Sequence, residues 1–453
     1  MKTRTRLRIA SLVILLLLIS VPYVIGRVTE QRYQRIIASL NAQYGDAAVL
    51  ERYERGVFSS TAETRIDISS LLRHLAPGLP QEQLDVLTGC VIRTRSSLRH
   101  GLLIFPNLAA RQPFGPVLAT SRDVITVTLP AQIAPRPLTL TSHTTFHLDR
   151  RIETAFSIPP GDHLFADALT VISPADITGS LRFDDRFSYV QARLATPQLT
   201  LASEGARVAL CGLTCVVETL QNVPQPPPAH SALTLSACTF TPPNQRAGFC
   251  LSNLLMSSEI VRSNALLHGT QLAALGTLVV ADTTYGPITL PSALHNFHAI
   301  ALQRLQNLMH DAQRNIAAGA NPTAVMGLMM ASLPELLAQF LQAAPCFEFN
   351  DWRAATPHGP FPLRGTIAAE PRTQLSAFSF LNVNHVLRLF TADLHLSLPQ
   401  SFVEDTLRSE TLNWPLDPTT LLHKQNDQYT FHLVFRDGKL LINGAEVDLP
   451  FAD

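Results

Sequence analysis

Leu138-Thr139-Leu140-Thr141-Ser142-His143-Thr144-Thr145-Phe146-His147-Leu148-Asp149 alternates residue by residue. Successive side chains of an extended chain point to opposite faces. Leu138, Leu140, Phe146 and Leu148 therefore share one face, and Thr139, Thr141, His143, Thr145, His147 and Asp149 the other. A strand dry on one side and wet on the other is the unit of an antiparallel sheet.

From about 122 to 283 the same texture repeats, as short Thr/Val/Leu/Phe-rich runs separated by turn residues at intervals of roughly ten. Such runs lie near 151–158, 179–183, 188–194, 198–202, 208–217, 232–241, 251–267 and 276–283. Residues 53–68 read as a further half-buried strand, whereas 71–89 and 98–118 show no period and read as loops with short helices. Near the end, Tyr429, Phe431, Leu433 and Phe435 alternate up to Asp437-Gly438, and Asn443-Gly444 follows. Asp-Gly and Asn-Gly are strong two-residue hairpin signals.

Two helices interrupt the β texture at about 291–344. Leu294, Phe297, Ala301, Leu305, Leu308 and Ala312 form one stripe, and Asn321-Pro322 supplies a cap and a first-turn proline for the second helix. The expected fold is α+β, predominantly antiparallel β, with a helical hairpin packed on an extended sheet. Length allows about three domains, but strands on both sides of the hairpin suggest one β-rich body over 51–453.

The N-terminus is a different material. Ile9 to Ile25 carries no charge, and a 17-residue helix is about 25 Å long, enough to span a bilayer core. Lys2, Arg4, Arg6 and Arg8 precede it, so the positive-inside rule keeps residues 1–8 in the cytoplasm. The expected organisation is a cytoplasmic tip (1–8), a single-pass signal-anchor (9–25), a membrane-proximal helix (27–50) carrying Tyr33, Ile36, Ile37, Leu40 and Tyr44, and an exported body. A cleaved signal peptide is the competing reading, although small residues suited to cleavage are poor here.

The formal charge of zero conceals this division. Without residues 1–25 the chain has 31 basic and 35 acidic side chains, because the four cations of the tip are the only charges removed from the 35 of each sign. A weakly acidic body gains nothing from phosphate counterion release, so nucleic acid is not an expected partner.

Catalytic signatures are missing from the sequence. Gly-x-Ser-x-Gly, a phosphate loop, paired-histidine zinc motifs and calcium loops do not occur, and Lys2, Lys424 and Lys439 are the only lysines. His143 and His147 are separated by about 13 Å along a strand, too far for one ion. His295 and His298 share a face if helical, yet two ligands without a third make no metal site. No catalytic residue, metal or cofactor is expected. Asp184-Asp185, beside Arg182 and Arg186, reads as a charged turn.

The six cysteines are an even number. Cys211 and Cys215 read as two strand ends across a tight turn, and Cys238 and Cys250 as facing positions of a hairpin, so these four are candidate disulfide partners. Buried free thiols are the alternative.

Soon after the anchor, Arg52-Tyr53-Glu54-Arg55-Gly56-Val57-Phe58-Ser59-Ser60 resembles the hallmark of the YdgA-like bacterial proteins, a family of unknown function. Its specific core is Arg55, Gly56, Val57, Phe58, Ser59 and Ser60. His100-Gly101, followed by Phe105-Pro106, is similar to a second element of that family, with Leu102-Leu103-Ile104 inserted, and 435–444 resembles its closing hairpin. The resemblance implies a bacterial inner-membrane anchor, a large periplasmic domain and self-association as a homodimer, and carries over no catalytic residue. From the residues, Gly56 suits a close backbone approach and Phe58 an inward anchor. The functional expectation is an envelope protein acting as a non-enzymatic scaffold or binding protein. One alternative is a lipid or hydrophobic-ligand binding or transfer protein, with apolar surface on helix 321–344; another is a hydrolase without a recognisable motif.

Overall fold

The computed structural model describes all residues except 1, 76–88, 101–116, 131–133, 135–136, 165–169, 204, 221–228, 244–247, 318–320, 372–387, 409–422 and 448–453. It forms two compact units, one of residues 1–205 with 214–222 and the other of 206–213 with 223–453.

Helix α1 (Lys2–Tyr44) runs without a break through Pro22 over the expected anchor segment and the expected membrane-proximal helix as far as Tyr44, whereas residues 48–50 of that expected helix already belong to the first strand. Its chain then enters a meander in the first unit: β1 (Ala48–Arg55), β2 (Ser59–Asp67), a short helix α2 (Ile68–Leu75), β3 (Val91–His100), β4 (Val117–Thr128), β5 (Leu138–His147) and β6 (Arg151–Ile158). Each of these strands pairs antiparallel with the next. β7 (Gly161–Leu164) and β8 (Thr170–Ser173) pair with each other, β9 (Ile177–Asp184) pairs with β6, and β10 (Tyr189–Ser203) pairs with both β8 and β9.

The alternation read in 138–149 holds to His147 and packs this unit, whereas Leu148, expected on the apolar face, is in the following turn and 55% exposed. Phe146 is buried with Ala62, Leu98, Leu118, Ala119, Ile152 and Phe183, and Ile25, Val28, Tyr33 and Ile36 of α1 close over that cluster. The stretch 53–68 is not one strand. Residues 56–58 turn between β1 and β2, and Phe58, expected to point inward, is 59% exposed at that turn.

In the second unit β11 (Ala206–Leu220), which also contributes to the first, precedes β12 (Ala229–Thr241), β13 (Phe249–Ser263), β14 (Leu266–Leu275), β15 (Thr277–Val280), β16 (Thr283–Tyr285) and β17 (Ile288–His298). After the helical hairpin come β18 (Cys346–Thr356), β19 (Gly359–Ala369) and β20 (Phe390–Pro399), then β21 (His423–Gln425), β22 (Gln428–Arg436), β23 (Lys439–Ile442) and β24 (Ala445–Val447). The order of pairing is β12, β13, β14, β17, β18, β19, β20, β22, β23, β24, antiparallel throughout. Both expected end turns are present, with Asp437, Gly438, Asn443 and Gly444 all at positive φ.

Helices α3 (Ala299–Ala317) and α4 (Pro322–Gln342) join β17 to β18, and α5 (Gln400–Arg408) follows β20. The first long helix therefore begins at 299 and not near 291, because Leu290, Ser292 and Leu294 continue the strand alternation until Asn296 adopts φ 60. Asn321 caps α4 as expected, its side chain accepting from the Thr323 amide at 2.9 Å. That helix continues through Pro334 to Gln342. The expected strand at 375–381 and most of the short helix at 384–390 lie outside the described residues.

Neither expected disulfide has suitable geometry. Cys211 and Cys215 lie on the single strand β11 with no turn between them, about 13 Å apart at four residues' rise. Cys238 and Cys250 do sit on neighbouring strands of a hairpin, but Cys238 is opposite Leu251 and Cys250 opposite Thr239. An offset of one residue sends the two thiols to opposite faces. All six cysteines are free. Peptide mapping of the unreduced, alkylated chain is expected to show neither a Cys211–Cys215 nor a Cys238–Cys250 link; recovery of either linked peptide refutes this register.

Candidate functional site

Two places carry concentrated information. One is the clamp between α1 and the hallmark turn; the other is the two-faced sheet of the second unit.

The turn 56–58 is built by its glycine. The Gly56 amide donates to the Ser59 carbonyl at 2.8 Å, and a Cβ on Gly56 would lie 2.7 Å from that oxygen. Arg55 and Ser60 close the turn as partners across β1 and β2, and the His100 amide donates to the Phe58 carbonyl at 3.0 Å. From this frame two side chains, Arg55 and His100, reach α1. Arg55 donates to the Glu30 carboxylate at 2.7 Å and to the Tyr23 hydroxyl at 3.1 Å, with its guanidinium 4.9 Å from the Tyr23 ring centre. Ser60 Oγ and His100 Nε2 are 3.0 Å apart and buried. The His100 ring in turn lies where a Cβ on Gly26 would be, 2.6 Å from it.

Arg55 and His100 thus hold α1 against the turn. His100 Nδ1 finds no hydrogen-bond partner among the described residues. Burial pushes the His100 imidazole below its usual range, and Arg55 adds to the effect. Val57 and Phe58 face solvent, as do Tyr23 and Val24. Gly101, the remaining hallmark residue, lies outside the described residues.

Beneath α1 runs a polar seam that the alternation concealed. Asp123 is buried and accepts hydrogen bonds from Ser121, from Ser142 at 3.0 Å and from Thr144 at 2.8 Å. Tyr33 reaches Ser96 at 3.3 Å. The expected charged turn at Asp184-Asp185 has a structural role, since Asp185 is buried and takes an ion pair from Arg35 at 3.1 Å.

In the second unit the register sorts side chains by polarity. Leu294 is opposite Phe347, Phe347 opposite Ile367, Ile367 opposite Ala392, Ala392 opposite Phe435, and Phe435 opposite Leu440. One row along, Trp352, Leu363, Leu396 and Phe431 are successive partners, and between the two rows Leu394, Leu433 and Ile442 follow Gly365. Six strands at about 4.8 Å make this apolar face about 24 Å across its strands, from β17 to β23. Phe340 of α4 stacks edge-on against Phe297 at 5.1 Å, and Phe402 of α5 against Phe361 at 4.8 Å. Most of the face remains half-buried, and Ile367 is 37% exposed. Among the described residues the only buried cluster assigned to this unit is Leu341, Ala369 and Leu389.

The opposite face carries the polar groups, among apolar residues such as Ala293, Val434 and Leu441. Glu348, Thr366 and Asp393 form one row, and Arg364, His395 and His432 the next. His295 and His298, expected on one helical face, are on β17 instead. His295 lies 3.4 Å from Glu348, while His298 Nδ1 accepts from the Ala301 amide at the start of α3. His143 points outward from β5 and pairs with no metal ligand.

α4 is long and apolar enough to cross a membrane by length and composition, with mean hydropathy 1.5 and 17% of its apolar window buried. Met326, Leu328 and Met330 on it are exposed, as are Ile300, Met309 and Ile316 on α3.

A family model described as bacterial protein of unknown function (DUF945) matches residues 4–413. No curated protein and no solved structure matches the chain.

Two outcomes follow from the clamp. Gly26→Val forces side-chain volume into the His100 ring, and overpacking of this kind costs about 1–3 kcal/mol. Urea midpoints should fall accordingly and recover when His100→Ala makes room; no fall, or no recovery, removes the contact. Second, since folded His100 resists protonation, the ring has no effect on stability above the unfolded pKa of about 6.5. Below it the unfolded chain gains a proton that the folded chain refuses, so stability is lost as pH falls. The drop in urea midpoint between pH 7.5 and 5.5 is expected to be smaller in His100→Gln than in the parent chain, and equal drops contradict it.

Proposed function

Because the chain belongs to this family of bacterial proteins of unknown function, its role must come from its own geometry, and we propose that it is a membrane-anchored envelope protein that binds an elongated apolar ligand, such as a lipid acyl chain, on the apolar face of its second unit. The observation that carries the reading is the register itself, which places rows of Leu, Ile, Phe and Trp side by side over six strands and leaves them half-buried. Exposed contiguous apolar surface of this extent marks binding of a partner, a ligand or a membrane. Half-covering aromatics at Phe340 and Phe402 give it edges, and the indole N–H of Trp352 is already satisfied by the Pro291 carbonyl at 3.0 Å, so the ring offers only apolar surface.

An acyl chain suits this face better than a polar substrate. The inward residues of β18, β19, β20 and β22 bear no charged group among the rows above, so nothing would compensate the desolvation of a polar ligand. Membrane attachment fits the same reading. α1 contains the uncharged run from Ile9 to Ile25 behind four cations, and the positive-inside rule supports an N-terminus in the cytoplasm with the chain from residue 27 onward in the periplasm. Tyr23, Val24, Val57 and Phe58, exposed around the clamp, are the residue types that sit at a membrane interface.

The test uses the full-length chain in detergent with a phospholipid carrying a photoreactive group in its acyl chain. Crosslinks are expected on β18, β19, β20 and β22, and Leu394→Arg with Leu433→Glu should reduce them at least tenfold while circular dichroism is retained. Labelling confined to residues 9–25 would overturn the proposal and favour a scaffold that merely resides in the membrane.

A further inference from the structure

On the polar face, behind the apolar rows, we propose a binding site for a zinc-class divalent cation formed by Asp393, His395 and His432. Asp393 and His395 are two residues apart on β20 and so share a face, and the register sets His432 of β22 directly opposite His395. The two imidazoles are stacked, 3.9 Å between ring centres and 11° from parallel. Both aim Nε2 at the same carboxylate oxygen: Asp393 Oδ1 is 2.9 Å from His432 Nε2 and 3.3 Å from His395 Nε2.

These distances are those of a coordination shell. One ligand atom from each residue lies within 4.8 Å of the other two. A tetrahedral zinc ion with bonds of about 2.0–2.1 Å separates its ligands by about 3.3 Å, close to the two nitrogen–oxygen separations here, and the two stacked rings would splay to turn both Nε2 lone pairs onto the ion. Two imidazole nitrogens and one carboxylate oxygen are borderline donors of the kind zinc takes, and three protein ligands leave a fourth position for water or a donor from a partner. The side chains are 41–57% exposed, so an ion enters without any opening of the sheet. Their placement on two adjacent strands at fixed register preorganises the set, unlike a cluster of long side chains on a loop.

A comparison site lies on the same face. His268, His295 and Glu348 also come from neighbouring strands, but the His268 and His295 rings are 6.0 Å apart and tilted by 54°, and only His295 approaches the carboxylate, at 3.4 Å. Geometry selects the first cluster and supplies a control from the second.

The experiment is zinc uptake by the untagged full-length chain after chelator stripping, read by titration calorimetry and by metal analysis after desalting. One equivalent is expected. His395→Gln and Asp393→Asn should each weaken binding at least tenfold with circular dichroism unchanged, and His295→Gln should leave it as in the parent. A cobalt-loaded sample should show visible absorption that His432→Gln abolishes, a signature that altered stability alone does not produce. Absence of uptake, or equal uptake by the His395 and Asp393 variants, overturns the proposal. The assay contains no lipid, so its failure and failure of the acyl-chain reading are separable.

Discussion

A sheet with one apolar face is unstable in water until something covers that face. At about 25 cal/mol per Å² of apolar surface, leaving several large side chains wet on each strand costs more than the net stability of a domain. Everything distinctive about this chain answers that constraint, and its two units answer it differently. In the first, α1 lies over Ala62, Leu98, Phe146 and Ile152 and completes a buried core. In the second, among the described residues, Phe340 and Phe402 reach the apolar face and leave its rows half-buried.

The cover in the first unit depends on a small number of polar fixings. Arg55 to Glu30, Arg35 to Asp185 and Arg32 to the His147 and Leu148 carbonyls tie α1 to three different parts of the meander. Gly26 lets the helix come close enough for His100 to fit against it. Pro22 lies just before this contact zone, inside a helix that nevertheless continues. Fixings of this kind specify position more than they add stability: exposed pairs contribute little, whereas the buried Asp185 would be costly without Arg35.

Legibility in the sequence followed the same physics. Where inward residues are apolar, as at Leu138, Leu140 and Phe146 or at Phe431, Leu433 and Phe435, period two was evident and the strands appeared where expected. Where they are polar, it failed. β3 puts Ser96, Leu98 and His100 inside and Arg93, Arg95, Ser97 and Arg99 outside, so most of this strand gave no strand signal and its last three residues fell in the stretch expected as a loop. The stripe through Leu294 and Phe297 has helical spacing, and the strand won because Leu294 pairs with Gly269 of β14 and Phe347 of β18 and Phe297 with Leu267 of β14, an irregularity around Asn296 keeping the two on one face. The Asp393, His395 and His432 cluster was hidden for another reason: His432 lies 37 positions from His395 in the sequence, and only the pairing of β20 with β22 brings them together.

That pairing links the two faces. Along β20 the residues alternate Asp393, Leu394, His395, Leu396, so metal donors and apolar contacts occupy successive positions of one strand. Slipping β20 against β22 by one residue would turn Leu394 and Leu396 toward the polar side and send both donors into the apolar rows. A cation bound by Asp393 and His395 on β20 and by His432 on β22 would oppose that one-residue slip, because the slip puts His432 on the opposite face from the other two donors. The polar face would then do for the second unit what α1 does for the first: it would hold the strands in the one alignment that keeps the apolar rows continuous, without covering the surface that a ligand needs.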